Sequence, residues 1–239
     1  DGGSSTLPSN GGSNSSSTIP AQNIPQQVGT QAILSYAPGE KKLYLSDAVP
    51  TENSFKVLAS NVVMQHKPSI SLNGELAIFV SNNELYLADL VDQKVEKLSD
   101  DAIWLNAAIT KDGNRIAAIS TEDNDKTIYV FDLEGDKQKA FTLYNPSYTE
   151  GIATGEVTKA DAIEWDHSGQ IIVYDANNQV KTSTGIINYS DVGFLNAWNA
   201  STKTFGNGNI QKLYTSFEKG ENIGNPSFSK NSSNILAFD

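Results

Sequence analysis

The chain has 239 residues, of which 38% are apolar, and this is enough for one large all-β domain or two smaller ones. Its 17 basic and 28 acidic residues give a net charge of −11, which repels nucleic-acid phosphates, so nucleic acid is not expected as a partner. The absence of cysteine excludes disulfides, thiolate nucleophiles and thiolate metal sites. No run approaches the roughly 18 apolar residues of a membrane-spanning helix.

The first thirty residues carry a single charge, at Asp1, and consist mainly of Gly, Ser, Asn, Gln, Pro and Thr. They have too little apolar surface to offset the entropy lost on ordering, so residues 1–30 are predicted to be a disordered tether. Because the chain starts at Asp1 rather than Met, we expect that a signal peptide has been removed. A polar tether of this kind is similar to that of bacterial lipoproteins, which predicts export to the periplasm or cell envelope and a possible lipid anchor as the one membrane contact. A cloning choice or a cytosolic linker is the alternative.

Four related phrases divide the rest of the chain, and each leads through a turn into an apolar run. Their first residues are Lys67, Asn106, Asp161 and Asn225. A second recurring phrase ends in an acid, at Asp47, Asp89 and Asp132, and these acids lie 42 and 43 residues apart. That spacing is the repeat length of four-stranded propeller blades.

Apolar positions alternate within these runs with the period of a β-strand, and no segment has a sustained helical pattern. The sequence therefore predicts an all-β fold, a β-propeller of four-stranded antiparallel blades over residues 31–239. The predicted blades are residues 31–59, 68–98, 107–143 and 162–214, with a partial unit at 225–239. The turns Asn73-Gly74 and Asp112-Gly113 predict hairpins in which both residues have positive φ. Blade 4 carries insertions at 144–160 and 176–193, where binding usually occurs, although plain surface loops are the commoner explanation.

The terminal hairpin at 225–239 leaves the strand count uneven. A propeller closes by joining its N-terminal and C-terminal strands in one blade, yet blade 1 already has a second strand at Ala32–Tyr36. Either the ring closes with four or five blades through a different pairing, or the chain continues past Asp239 and is a fragment of a larger propeller. We favour the fragment. The oligomeric state is left open by the sequence.

The repeat resembles that of TolB-like propellers, whose core is P-x-F-S-P-D-G-x-x-I-A-F followed by an I-Y-V-x-D strand. The best matches begin at Pro226, in Pro-Ser-Phe-Ser-Lys-Asn, and at Lys111, in Lys-Asp-Gly-Asn-Arg-Ile-Ala, and the resemblance covers residues 31–239. It implies a propeller like those of envelope scaffold proteins, of other periplasmic or lipid-anchored propellers, or of prolyl oligopeptidase-like enzymes. The polar N-terminal segment stands where TolB itself has a small α/β domain, so membership of the Tol system is not expected.

No motif predicts catalytic or metal chemistry. Asp166, His167 and Ser168 have the residue types of a hydrolase triad, but adjacent residues of one turn cannot form the line from nucleophile to base to orienting acid. The acidic segment from Glu122 to Asp125 lacks the spacing of a Ca²⁺-binding loop. We therefore predict no catalytic residue, metal or cofactor, with an enzyme left open only if the chain is a fragment.

The connections between the last strand of one blade and the first strand of the next are expected to meet at one face, near the mouth of the central channel. The candidate binding residues in them are His66, Lys67, Trp104, Tyr148, Glu150 and Phe217. Mixed aromatic and polar groups suit partner binding, although Trp104 alone is slightly better explained as a cap on the core. We expect a non-catalytic propeller that binds a protein, peptide or glycan at this face. The alternatives are the propeller of a larger prolyl oligopeptidase-like hydrolase and a carbohydrate-binding propeller.

Overall fold

Every regular element that the structure describes is a β-strand. The structure is a computed structural model, and it describes residues 32–47, 55–146, 155–212, 222–229 and 232–239, so the predicted tether lies outside the described residues. The strands are β1 (Ala32–Ala37), β2 (Lys42–Asp47), β3 (Lys56–Ser60), β4 (Ser69–Ile70), β5 (Leu76–Ser81), β6 (Glu84–Asp89), β7 (Lys94–Lys97), β8 (Trp104–Ile109), β9 (Arg115–Ser120), β10 (Thr127–Asp132), β11 (Lys137–Thr142), β12 (Glu156–Trp165), β13 (Ile171–Thr182), β14 (Gly185–Asn196), β15 (Trp198–Asn199), β16 (Thr204–Phe205), β17 (Ile210–Lys212), β18 (Ser227–Phe228) and β19 (Leu236–Ala237). In those ranges there is no helix long and apolar enough to cross a membrane.

The strands form antiparallel sheets in chain order. Blade 1 contains β1 to β3, blade 2 contains β4 to β7, blade 3 contains β8 to β11, and blade 4 contains β12, β13, β14 and β17. Two smaller two-stranded sheets are the β15–β16 hairpin and the terminal hairpin β18–β19. The predicted all-β fold with four-stranded antiparallel blades is confirmed.

The apolar core lies between neighbouring blades, because each strand presents alternate side chains to the sheet on either side. Blades 1 and 2 bury Leu43, Leu45, Val62, Ala77, Phe79, Ala88 and Leu90 between them. Blades 2 and 3 bury Ile78, Leu85, Trp104, Ala107, Ile109, Ile116 and Ala118. The largest cluster joins blades 3 and 4 and includes Ile119, Val130, Phe141, Trp165, Ile172, Leu195 and Trp198. Each large apolar side chain buried in this way contributes about 1.5–3 kcal/mol, so the blades hold one another in place.

The first strands of successive blades contact one another directly. The Ser69 hydroxyl accepts a hydrogen bond from the Ile109 N–H at 3.1 Å, which joins blades 2 and 3. The Asn106 side-chain amide donates to the Asp161 carbonyl at 3.1 Å, which joins blades 3 and 4. These contacts place the first strands at the inner side of the stack, as the propeller prediction requires.

The turns between first and second strands differ from the predicted hairpin type. The Gly74 N–H donates to the Ser71 carbonyl at 3.0 Å, and Gly113 does the same to Thr110 at 3.0 Å. Only the glycines have positive φ, 72° at Gly74 and 80° at Gly113, so the prediction of two positive φ angles per turn was wrong. The turn spans four residues with glycine last, and a left-handed glycine there returns the chain to the sheet.

Blade 4 is longer than its neighbours. β12 begins at Glu156, before the predicted start of the blade at residue 162, and β13 and β14 are 12 residues long each. Their pairing continues without a break from Ile171 opposite Asn196 to Thr182 opposite Gly185. The inserted residues continue the strands because they keep the strand period, with side chains alternating between buried and exposed from Ala176 to Lys181 of β13.

The terminal hairpin packs beside the first strand of blade 4. The Phe228 N–H donates to the Glu164 carboxylate at 3.0 Å, and Gly224 and Asp239 exchange two backbone hydrogen bonds. Within the described ranges β1 pairs with β2 alone, and β18 and β19 pair with each other. How the ring closes therefore stays a prediction.

Candidate functional site

One face of the stack carries both the connections between blades and the turns between second and third strands. The Asn82 N–H donates to the Val63 carbonyl at 3.0 Å, and the Trp104 N–H donates to the Asn83 carbonyl at 2.8 Å. Farther along, the Lys159 ammonium donates to the Thr121 carbonyl at 3.2 Å. These bonds link blades 1 to 4 along a single surface, which we call the arm face. The described part of these connections, from blade 1 to blade 2 and from blade 2 to blade 3, lies on this face, whereas residues 147–154 and 213–221 lie outside the described residues.

Residues from three blades meet on the arm face at the place where a propeller is expected to have its channel mouth, and we call this place the channel mouth. His66 Nε2 lies 3.8 Å from the Asp161 carboxylate, with the two side chains 26% and 54% exposed. Asn106 holds the backbone of Asp161 from the other side. Sequence reasoning did not name Asn106 or Asp161 as site residues. The available signal was their place as first residues of the repeated phrases, the same place that Lys67 occupies.

The predicted binding residues occupy different surroundings. His66 reaches the channel mouth, and Lys67 beside it is exposed. Trp104 is only 6% exposed, and its indole N–H donates to the Ser99 hydroxyl at 3.0 Å. Its ring makes edge contacts with two aromatic rings of blade 3, so it belongs to the blade 2 and blade 3 interface more than to the channel mouth. The remaining candidates, which lie outside the described residues, are Tyr148, Glu150 and Phe217.

Beside the channel mouth, blade 4 extends into a three-stranded arm. We define the arm as residues 156–160 of β12, 176–182 of β13 and 185–190 of β14. It is on the arm face because it contains the turn between the second and third strands of the blade. A strand rises about 3.3 Å per residue, so the arm is about 20 Å long.

A β-bulge marks the point where β12 passes from the blade into the arm. The pairing of β12 with β13 shifts register between Ala160 and Ile163, which leaves a backbone N–H without a ladder partner. The Asp175 carboxylate accepts that N–H, from Ala162, at 2.6 Å, and it also accepts the Asn225 N–H at 2.7 Å. Burial raises the pKa of Asp175, and the two N–H donors oppose that rise.

The base of the arm is a buried polar network around an ion pair. Lys212 Nζ lies 2.5 Å from Asp191 Oδ1, and both side chains are 1% exposed. The same oxygen accepts the Asn178 amide at 2.9 Å, and Asn178 in turn accepts the Asn145 amide at 2.8 Å. Burial lowers the pKa of the Lys212 ammonium, and the facing carboxylate opposes the shift. Pairing of this kind fixes the arm to β17, because neither charge tolerates burial alone.

No protein-family model and no curated protein matches the sequence. Among solved structures, TolB from Acinetobacter baumannii matches with a TM-score of 0.52 and 20% identity, over 83% of this chain and 43% of that chain. The fold is that of a TolB-like β-propeller. A chain of the mitotic checkpoint complex matches with a TM-score of 0.51 and 11% identity, over 87% of this chain and 55% of that chain. The propeller domain of the Trilobed protease from Pyrococcus furiosus, with an open velcro topology, matches with a TM-score of 0.46 and 16% identity, over 77% and 57%. The chain thus spans less than half the length of the TolB chain that it matches.

In this propeller the segment Asp166-His167-Ser168 is the turn between the first and second strands of blade 4. Asp166 Oδ1 accepts the backbone N–H groups of Gln170 and Ile171 at 2.9 and 3.0 Å, and Oδ2 accepts the Ser168 hydroxyl at 2.6 Å. The His167 ring faces Phe228 edge-on at 6.1 Å. The Ser168 hydroxyl thus donates directly to the Asp166 carboxylate, and the hydrogen bonds of Asp166 are those of a residue that stabilises a turn. Across the described ranges, no three His, Asp or Glu side chains cluster as a metal site.

Proposed function

We propose that this protein is a non-catalytic binding propeller of the bacterial cell envelope, and that it engages a protein or peptide partner through the arm face. The observation that carries the proposal is the arm: three paired strands that stand beside the channel mouth and rest on a buried ion pair. A rigid projection adds contact area at little entropic cost on binding.

The composition of the arm surface supports a protein partner. Its exposed side chains are mostly uncharged and polar, and Ile186 near the tip is 58% exposed. Protein interfaces are depleted of charged residues at their centre, and about 800 Å² per partner is a usual size. An arm about 20 Å long, next to the channel mouth at His66 and Asp161, enlarges the surface that a partner can contact.

We also propose that the protein is exported and held at the envelope by a lipid anchor ahead of residues 1–30. The polar composition of that segment and the TolB-like repeat support this proposal. Cells that express the native gene and grow with radiolabelled palmitate should yield a labelled protein in the envelope fraction. An unlabelled protein in the cytosolic fraction would contradict both export and anchoring.

Site-specific photocrosslinking tests the binding proposal. The photoreactive residue p-benzoylphenylalanine replaces Asn188 on the arm or Lys67 at the channel mouth, and both sites are exposed. The matched control is Ser201, which is also exposed but lies between β15 and β16 on the opposite face. Irradiated cells should give the same crosslinked partner from the two arm-face positions and none from Ser201. Equal capture at all three positions, or none at the arm face, would refute the proposal.

A further inference from the structure

A groove separates blades 2 and 3 along their outer strands. Its volume is about 1080 Å³. One wall is the chain from Leu98 to Trp104, which leaves blade 2, and the other is blade 3 from Tyr129 to Ala140. Every residue that lines the groove belongs to the described range 55–146.

The corresponding space between blades 3 and 4 is filled. The β15–β16 hairpin inserts there, with Trp198 packed edge-on against Phe205 at 5.5 Å. The Lys139 ammonium of blade 3 donates to the Gly206 carbonyl of that hairpin region at 2.9 Å. In blade 3 the equivalent connection is the short turn at residues 133–136 between β10 and β11, which inserts no hairpin toward blade 2. Blades that radiate from a common axis move apart toward the outside of a propeller. Between blades 2 and 3 the resulting space remains as the groove.

The floor of the groove is aromatic and its edges are apolar. Trp104 meets Tyr129 at 5.5 Å and Phe131 at 5.9 Å between ring centroids, both edge-on. Leu98 and Leu133 stand at the edges and are 36% and 39% exposed. Apolar side chains that line a groove in this way favour the burial of an incoming apolar side chain.

The charges around the groove are mainly negative. Its carboxylates are Asp100, Asp101, Asp132 and Asp136, and its ammonium groups are Lys137 and Lys139. Lys139 is engaged elsewhere, since it bonds to the β15–β16 region and lies over the Phe141 ring at 4.6 Å. Asp100 and Asp101 lie near the arm face, whereas Asp132 and Asp136 lie at the opposite end of β10 and β11. Acidic groups therefore stand at both ends of an apolar floor.

We propose that this groove binds an extended polypeptide segment of a partner protein, in which lysine or arginine residues alternate with apolar ones. Basic side chains of the segment would contact the aspartates, and this attraction would speed the association of the two proteins. Apolar side chains of the segment would enter the groove between Leu98 and Leu133. β11 is six residues long, so a segment of about six residues, or about 20 Å, spans the groove. A glycan is disfavoured because Trp104 is 6% exposed and offers no open ring face for a sugar.

Fluorescence anisotropy with a defined peptide tests the groove. The probe is a fluorescein-labelled hexapeptide in which three lysines alternate with one phenylalanine and two leucines. We expect a Kd on the order of 10 μM, usual for a short segment that is ordered on binding. Leu98→Gln, and the double variant Asp100→Asn with Asp101→Asn, should each weaken binding about fivefold or more. The matched control, Asp92→Asn with Asp123→Asn, removes two exposed carboxylates outside the groove and should change binding less than about twofold.

A second peptide separates recognition from the general attraction of a cation to an acidic protein. It keeps the three lysines and replaces the apolar residues with serine, and it should bind about tenfold more weakly or less. NMR amide shifts induced by the first peptide should concentrate in residues 98–104 and 129–140. Equal binding of the two peptides, equal losses in both double variants, or shifts spread over the surface would each overturn the proposal.

The proposal for the groove and the proposal for the arm face can be refuted independently of each other. Leu98→Gln should leave the crosslink formed from the arm position Asn188 unchanged, because Leu98 lies on the outer side of blade 2. Loss of that crosslink in the Leu98 variant would show one continuous site and would overturn the separate groove.

Discussion

The buried pair at the base of the arm allows a quantitative test of the structure. Asp191→Asn leaves the Lys212 ammonium without its carboxylate, at a side chain that is 1% exposed. Breaking a buried pair in this way costs about 3–5 kcal/mol. The loss also has an upper bound at pH 7. The buried lysine, whose ordinary pKa is 10.5, can release its proton instead of staying charged, and this costs about 1.4 kcal/mol per pH unit, or about 5 kcal/mol at pH 7.

Because the cost of deprotonating Lys212 depends on pH, the loss of stability in the Asp191→Asn variant depends on pH as well. Burial already lowers the pKa of Lys212 in the wild type, and loss of the Asp191 carboxylate, which opposes that shift, should lower the pKa further in the variant. The stability of the variant should therefore rise more steeply than that of the wild type as the pH increases toward 10.5, the ordinary lysine pKa. At pH 9 the maximum cost falls to about 2 kcal/mol, so the variant should recover stability relative to the wild type. Urea unfolding followed by tryptophan fluorescence at pH 7 and pH 9 measures both values.

A double-mutant cycle and a surface pair complete this test. Lys212→Met combined with Asp191→Asn should cost at least about 2 kcal/mol less than the sum of the single changes. The control pair is Lys97 and Glu84, which lie 2.8 Å apart but are 35% and 26% exposed. Glu84→Gln should cost at most about 1 kcal/mol. A loss below about 1 kcal/mol for Asp191→Asn at pH 7, no recovery at pH 9, or strict additivity would refute the burial argument.

Two further predictions concern packing and pH. Gly193→Ala should lower the free energy of unfolding by about 1–3 kcal/mol in thermal unfolding, because the added Cβ would overlap the Tyr174 ring. The control Gly39→Ala places its Cβ in open space and should change the stability little. Equal losses of stability in the two variants would contradict the packing described for Gly193. Burial pushes the pKa of Asp112 upward, but hydrogen bonds from Thr110 and Asn114 and the nearby Arg115 charge outweigh it and lower the pKa. The carboxylate therefore stabilises the fold above its ordinary pKa of 3.8, and this is lost as pH falls through the folded value. The stability gap between wild type and Asp112→Asn should be about 0.5 kcal/mol at pH 6 and should close near pH 2, whereas a gap independent of pH would contradict the assignment.

The blades could be predicted from the sequence because their information is local. Alternating apolar residues identify strands, and glycine at Gly74 and Gly113 identifies the turns between them. Asp89 and Asp132 end β6 and β10, as their spacing predicted. The turn type could not be derived from Asn-Gly and Asp-Gly alone. Both positive φ angles are needed only in a two-residue loop, whereas here the pairing of Ser71 with Leu76 leaves a four-residue loop in which glycine alone has positive φ.

The candidate site was only partly predictable because its members are far apart in the chain. The sequence indicated which connections share a face, and His66 does reach the channel mouth. Its neighbour Asp161 comes from another blade, and no sequence pattern states which residues of two blades meet. Trp104 shows the opposite case, since its residue type suited a binding surface while its position in β8 packs the ring against Tyr129 and Phe131 of its own blade.

The sequence by itself determined that this chain is an all-β repeat protein, because strand period, turn residues and a regular repeat are properties of neighbouring residues. Tertiary structure decided that the blade 4 insertion is a paired arm, since Lys212 and Asp191 become partners only when β17 packs beside β14. It also decided that a groove remains between blades 2 and 3 while the next gap is filled. Both features depend on side chains brought together by stacking.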